Sequence, residues 1–457
     1  MSLRLLTGAT VVTVDAQHTV HTDGAVLIED DRIAAVGDTE QLRAAHADIE
    51  TVDCSGRVII PGLINTHTHL FQTLLKGLGD DMVLKDWFTC MTGPSAVELT
   101  VADAYAAARH GAVEAVKSGT TTLVDFMYTH PRPGLTDAVV KALQETGIRG
   151  IVGRGYITAG QDYGVPAGLI ESRQEALDDA EDLIRRHNRP EARVQVGLAP
   201  AMIWTVDLDT LQATRALADA HDDVLVMMHL SETEFETSYS LQHHGARDVQ
   251  VLDRLSFLGP DVLAVHCVEC GEGELDRLRA NGVGVSHNPC SNLYLASGFA
   301  PIPQMLAAGI PVGLGSDGPA SSNNHSMFQA MKFAALMHKG HHRDATIITA
   351  RQVLEMATIG GARAIGRADE IGSIEVGKKA DLVVLNMDSF FVTPMHDPVS
   401  ALVYSALGSE PETVYVDGQP ILSGGAMTTV HEHDVVIAAS NSAREVVERA
   451  GTGVRPR

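Results

Sequence analysis

The chain has 457 residues, more than one small core needs, so one large domain with an appendage, or two or three domains, is expected. Hydrophobic residues at 45% and charged residues at 20% mark a globular chain, and no apolar run approaches the roughly 20 residues that span a bilayer. Its 34 basic and 58 acidic residues leave a net charge of −24, scattered along the chain, a field that repels phosphate backbones and argues against nucleic acid as a partner.

The opening segment "MSLRLLTGAT" lacks the apolar core and cleavage site of a signal peptide. The cysteines (Cys54, Cys90, Cys267, Cys270 and Cys290) are few and irregularly spaced, which is no disulfide framework. A cytoplasmic setting is expected. Residues 1–58 read as short strands and turns, with "GAVLIEDDRIAAVG" placing two apolar stretches around Asp30-Asp31 in a hairpin pattern. That texture returns in "IGSIEVGKKADLVVLNM" and "ETVYVDGQPILSGG", where Asp417-Gly418 is a strong hairpin turn. Residues 1–58 and 371–457 are therefore expected to pair into one small β-sandwich domain.

Residues 59–370 have a different rhythm. Helical stretches such as "ADAYAAARHGAVEAVKSG" and "SRQEALDDAEDLIRRH" separate apolar, strand-like runs. The runs are "VIIPGLINTH", "TTTLVDF", "GIVGRGY", "RVQVGLAPA", "VLVMMHLSE", "VLAVHCV", "GVGVSHNP" and "IPVGLGSDGP". Eight of them over about 260 residues is the count and length of a (β/α)8 TIM barrel in the α/β class, with a doubly wound open sheet as the alternative.

In such a barrel chemistry sits where the strands end. The first run closes on "LINTHTHLFQ", with His67 and His69 two apart and so on one side of a strand. The fifth ends in His229 with Glu232 just beyond, the sixth in His266, the seventh in His287 and the eighth in Asp317. Histidines scattered through a core would not choose one rim so regularly. Neutral imidazoles with a carboxylate suit a zinc-like divalent ion that keeps an open position for water. Glu232, on the turn after one of these strands, is the expected proton shuttle.

Together "PGLINTHTH", "HLSE", "AVHCV", "SHNPCSNLYLASGFAP" and "GLGSDGPASSNN" resemble the amidohydrolase superfamily. The nearest branch holds s-triazine chlorohydrolases and aminohydrolases and deaminases of adenosine-like and guanine-like compounds, and the resemblance runs the length of the chain. It implies His67, His69, His229 and Asp317 as metal ligands and Glu232 as proton shuttle. It also implies His266 as a partner of the activated water and Asp317 as acceptor of that water's proton. Binuclear relatives bridge two ions with a lysine after the fourth strand; "RVQVGLAPAMIW" has none, so one ion is expected, zinc with iron as the alternative. The implied reaction is hydrolytic deamination at a ring carbon of a triazine, pterin or purine heterocycle. Alternatives are loss of chloride or an alkylamine from an s-triazine, deamination of methylthioadenosine or adenosylhomocysteine, and a non-catalytic scaffold. A small heterocycle is the expected partner, with self-association left open.

Gln72, Trp87, Arg154, Trp204 and His287 are the candidates for touching substrate. For the two tryptophans core packing is an equal account, and His287 also reads as a rim residue capped by Asn288. The similar methylthioadenosine and adenosylhomocysteine deaminases grip ribose through a Glu some nine residues past the tryptophan and contact substrate through a His after the fourth strand. Here Ala96 and Ala201 stand in those places, and only Arg154 matches. Free ring bases are therefore expected to be turned over better than nucleosides. "GLGSDG" mimics a dinucleotide loop but lies on the last strand and is followed by Pro319. "HCVEC" lacks the second pair of a zinc knuckle, and "QHHG" and "GHHRD" read as solvated loop histidines.

Overall fold

The computed structural model describes residues 3–453, so residues 1–2 and 454–457 of the two expected terminal parts lie outside the described residues. All eight apolar runs form one parallel sheet in sequence order: Leu63–Thr68, Thr120–Met127, Arg149–Tyr156, Val194–Pro200, Val226–Leu230, Val262–His266, Gly284–His287 and Val312–Leu314. Helices alternate with them. Val101–Lys117 begins at a Thr100/Asp103 capping box and Arg173–His187 at a Ser172/Glu175 one, each satisfying amides that a helix start leaves free. The fold is a (β/α)8 barrel with a second sheet built from both chain ends.

Closure of the barrel depends on side chains. Among the described residues no ladder joins the eighth strand to the first; the backbone bond across the seam runs from Asp317 N–H to the His67 carbonyl, at 3.0 Å. The Asn65 side chain does the rest, accepting from Ser316 N–H at 3.0 Å and donating to Ser316 Oγ at 2.8 Å. Thr68 Oγ1 adds a bond to the Asp317 carbonyl.

The run "VIIPGLINTH" is two strands. Arg57–Pro61 belongs to the terminal sheet and Leu63–Thr68 to the barrel. Between them a Cβ at Gly62 would lie 2.0 Å from Thr121 Oγ1, so only glycine passes this close to the second barrel strand.

The terminal sheet has nine strands. At its centre Arg57–Pro61 pairs antiparallel with Leu382–Asn386, joining the two chain ends. The Asp30 hairpin links Val20–Glu29 to Arg32–Asp38, and the Asp417-Gly418 turn, with φ of 48° and 69°, links Pro411–Val416 to Gln419–Ser423. Leu6, Val26, Ile28 and Ile59 share one core with Leu382 and Tyr415.

The last described element departs from the expected β-part. Glu432–Ala450 is a helix that packs on the barrel helix Val101–Lys117, with Val435, Ala439 and Val446 buried. Its apolar positions recur at helical spacing, and Lys117–Glu432 and Arg449–Asp103 ion pairs fasten it. The paired histidines also belong to helices: His243 and His244 end Glu234–His244, and His341 and His342 end Met327–His342, where a helix C-terminus favours them.

Candidate metal-dependent active site

His67, His69, His229, His266 and Asp317 meet at the C-terminal rim of the barrel, all buried. His69 Nδ1 donates to the Phe126 carbonyl at 2.6 Å and His229 Nδ1 to the Ala201 carbonyl at 3.0 Å. Each bond fixes a tautomer, leaving a lone pair on Nε2. Those two Nε2 atoms face each other at 3.2 Å, and both ring nitrogens of His67 are buried without a partner. Asp317 Oδ1 lies 3.5 Å from His67 Nε2 and 3.4 Å from His69 Nε2.

Converging lone pairs beside a carboxylate are unfavourable unless a cation sits among them. The imidazoles do not supply that charge at neutral pH, because burial pushes His67 down to about 4 and His69 to about 3. The donor set, three neutral imidazoles and one carboxylate, fits a divalent metal ion. Burial alone would raise Asp317, but the contact and charge of His67, with His266 and His69 behind it, hold its carboxyl well below the usual range. Backbone strain accompanies the cluster: Asp317, Ser231 and His266 take φ of 59°, 50° and 74° at three strand ends.

Glu232 stands beside this cluster. Its Oε2 is 3.6 Å from His266 Nε2, and its Oε1 accepts from Ser297 Oγ at 3.3 Å. Burial pushes its carboxyl up, against the pull of His266 and with help from Asp317. His266 is oriented from behind, Nδ1 donating to Asn292 Oδ1 at 2.9 Å.

A cavity of about 730 Å³ opens above these groups. Gln72, Trp87 and Trp204 line it. The Gln72 Oε1 is buried with no partner, free to take a donor from a bound molecule, and Trp87 is held by its Nε1–H to the Ala320 carbonyl at 3.0 Å. The structure does not bring Arg154 or His287 there. Arg154 is locked behind the third strand by Glu171, Asp179 and His130, and His287 turns its Nε2 to His338 Nε2 at 3.2 Å. Glu236, not singled out from the sequence, accepts the Glu232 amide at 3.2 Å and points an unpartnered, buried Oε1 at the cavity wall. Its spacing of four from Glu232 at a helix start was the available signal.

The amidohydrolase family pattern matches residues 58–421. The chain belongs to that family. It is 40% identical over 424 residues to a 5'-deoxyadenosine deaminase of Methanothermobacter thermautotrophicus, covering 93% of this chain and 95% of that one. A crystal structure of an adenosine deaminase from Xanthomonas campestris with bound zinc superposes with a TM-score of 0.91 at 31% identity, over 97% of this chain and 98% of that chain. Atrazine chlorohydrolase from Arthrobacter aurescens TC1, complexed with zinc, gives 0.87 at 25% identity, over 96% and 100%. As an amidohydrolase the chain is a hydrolase of carbon–nitrogen bonds that works as a deaminase of an aminated nitrogen heterocycle.

Proposed function

We propose that this chain deaminates the adenine ring of an adenosine-type nucleoside, with one zinc ion held by His67, His69, His229 and Asp317. The observation that carries the nucleoside is the reach of the cavity. It runs from the buried cluster out to Phe88, Tyr163, Trp204 and Phe235 on four separate segments, so a free base would leave its outer part empty. Identity points the same way, 31–40% to adenosine-type deaminases against 25% to the triazine enzyme. This reading replaces the preference for free bases drawn from Ala96 and Ala201. Zinc is favoured over iron by the nitrogen-rich donor set and by the zinc in both solved relatives.

When bound, such an ion supplies a water acidified toward neutrality and a Lewis acid. The chain's own groups do the rest. Glu232, whose carboxyl burial pushes up, gives its proton to the ring nitrogen next to the attacked carbon. Asp317, kept ionised, accepts the proton that the water loses. Two carboxyls pushed apart by their surroundings divide the acid and base roles. His266 steadies the water from the side of Glu232. Asp317 then gives its proton to the amino group, which leaves as ammonia. The hydroxyl proton of the adduct returns to Glu232 and the ring carbon becomes a carbonyl. Gln72 Oε1 and the Trp87 ring bound the flat base. The free thiols of Cys54, Cys90, Cys267, Cys270 and Cys290 suit the cytoplasm, where we place the reaction.

Ammonia release from 5'-deoxyadenosine, adenosine, adenine, a pterin and an aminotriazine tests the reading. A nucleoside should show the highest kcat/KM. Adenine or the triazine outrunning every nucleoside would sink it.

A further inference from the structure

The turn that carries Glu232 is braced from several sides. Ser231, just past the fifth barrel strand, takes a φ of 50° and donates from Oγ to Asp248 Oδ2 at 2.7 Å, while its carbonyl accepts from the Glu269 amide at 2.8 Å. The amide of Glu232 has one partner among the described residues, Glu236 Oε2 at 3.2 Å. The same carboxyl takes the amide of Thr233, whose own side chain makes no capping bond to the helix Glu234–His244. All four of Ser231, Glu232, Glu236 and Asp248 are buried. Burial, with the carboxyls of Glu232 and Asp248 adding to it, pushes the Glu236 carboxyl well above its usual range. A protonated carboxyl still accepts both amides through one oxygen, and so does a glutamine amide.

Resting on Glu232 as the proton shuttle, we propose that Glu236 is its positioning residue. By accepting the amides of Glu232 and Thr233 it fixes the turn from which the shuttle reaches the ring nitrogen, and it takes no part in proton transfer. Ser297 holds only the far end of the Glu232 side chain, at 3.3 Å. With the amide released, the turn shifts and the carboxyl moves away from a ring that other groups hold in place. Misplacing a reacting group in this way lowers kcat and spares binding.

The test follows ammonia release by metal-loaded variants. Glu236→Ala and Glu236→Asp, the second one methylene short of the amides, should each lower kcat by about tenfold or more, with KM and metal content held. Glu236→Gln keeps both the reach and the acceptor oxygen, and should recover most of that loss. A direct acid or base would give the opposite order, with aspartate the better replacement and glutamine the worse. That order overturns the proposal, and so does an alanine variant with ordinary kcat. Should Glu236→Ala fail to fold, the comparison of aspartate with glutamine decides alone. Ordinary turnover by metal-loaded Glu232→Gln overturns instead the shuttle reading on which the proposal rests.

Discussion

Asp317 and Glu232 share one cavity, yet their neighbours push their carboxyls in opposite directions. The split follows from contact: Asp317 lies against His67 and His69, while Glu232 has Ser297 as its hydrogen-bond donor and His266 beyond bonding distance. Glu232→Gln keeps shape and the Ser297 contact but cannot move a proton. It should retain the metal while kcat falls by about 10²-fold or more. Metal content by elemental analysis beside steady-state kinetics checks this; a metal-loaded variant with ordinary turnover removes Glu232 from the chemistry. The clustering of His67, His69, His229, His266 and Asp317 was legible because strand geometry turns residues 67 and 69 to one side and the others recur at the ends of neighbouring strands. Arg154 was not. Its partners lie 17 and 25 residues further along, so a buried ion-pair hub looked like a substrate contact. Glu236 escaped because its work, accepting the Glu232 amide, depends on where a helix starts.

Among the elements, the alternation of strand and helix was plain because short runs rich in apolar residues recur between helical patterns. The split within the first run was not, since Gly62 changes neither hydrophobicity nor period; it acts by letting two backbones approach. Part of the joint between barrel and terminal sheet was equally hidden, for beside the shared apolar cluster of Val58, Ile60, Val383 and Val414 it is ionic. Arg149, at the start of the third barrel strand, reaches Asp381 through Nε at 2.9 Å and also the hairpin residue Asp417, which Arg193 pairs at 2.8 Å. Their side chains are 14%, 3% and 15% exposed for Arg149, Asp381 and Asp417, little enough that water screens them weakly. Arg149→Met leaves the buried Asp381 without its cation, and Asp417 with Arg193 and Lys379 alone, and should cost about 3–5 kcal/mol in denaturant unfolding. Burial would raise Asp417, but Arg149 and Arg193 outweigh it and hold the carboxyl below its ordinary 3.8. A depressed folded value means that stability from this group is present above about pH 4 and is lost as pH falls through the lower value. Wild type should therefore lose stability in that window and the Met variant should lose less. Parallel pH curves for the two proteins would count against the joint.

Across the whole molecule, the barrel's weakest junction and its metal site coincide. Every other pair of neighbouring strands shares a ladder, while the first and eighth are held by one backbone bond, the Asn65 side chain and Thr68. His67 and His69 stand on one side of that seam and Asp317 on the other, with His229 facing them from the fifth strand. An ion bound by these groups is a clasp across the seam as well as a reagent. Without it, a buried carboxylate remains among neutral imidazoles whose lone pairs confront one another. Binding to the folded chain alone stabilises by about 2.7 kcal/mol when free ion is at about 100 times its dissociation constant. Chelation should therefore lower Tm, and one equivalent of zinc per chain should restore it. Hydrogen exchange should localise the loosening to Leu63–Thr68 and Val312–Leu314, leaving Arg149–Tyr156 and its ladders protected. A chelated protein that melts and exchanges like the metal-loaded one would show that the seam holds by its side chains alone.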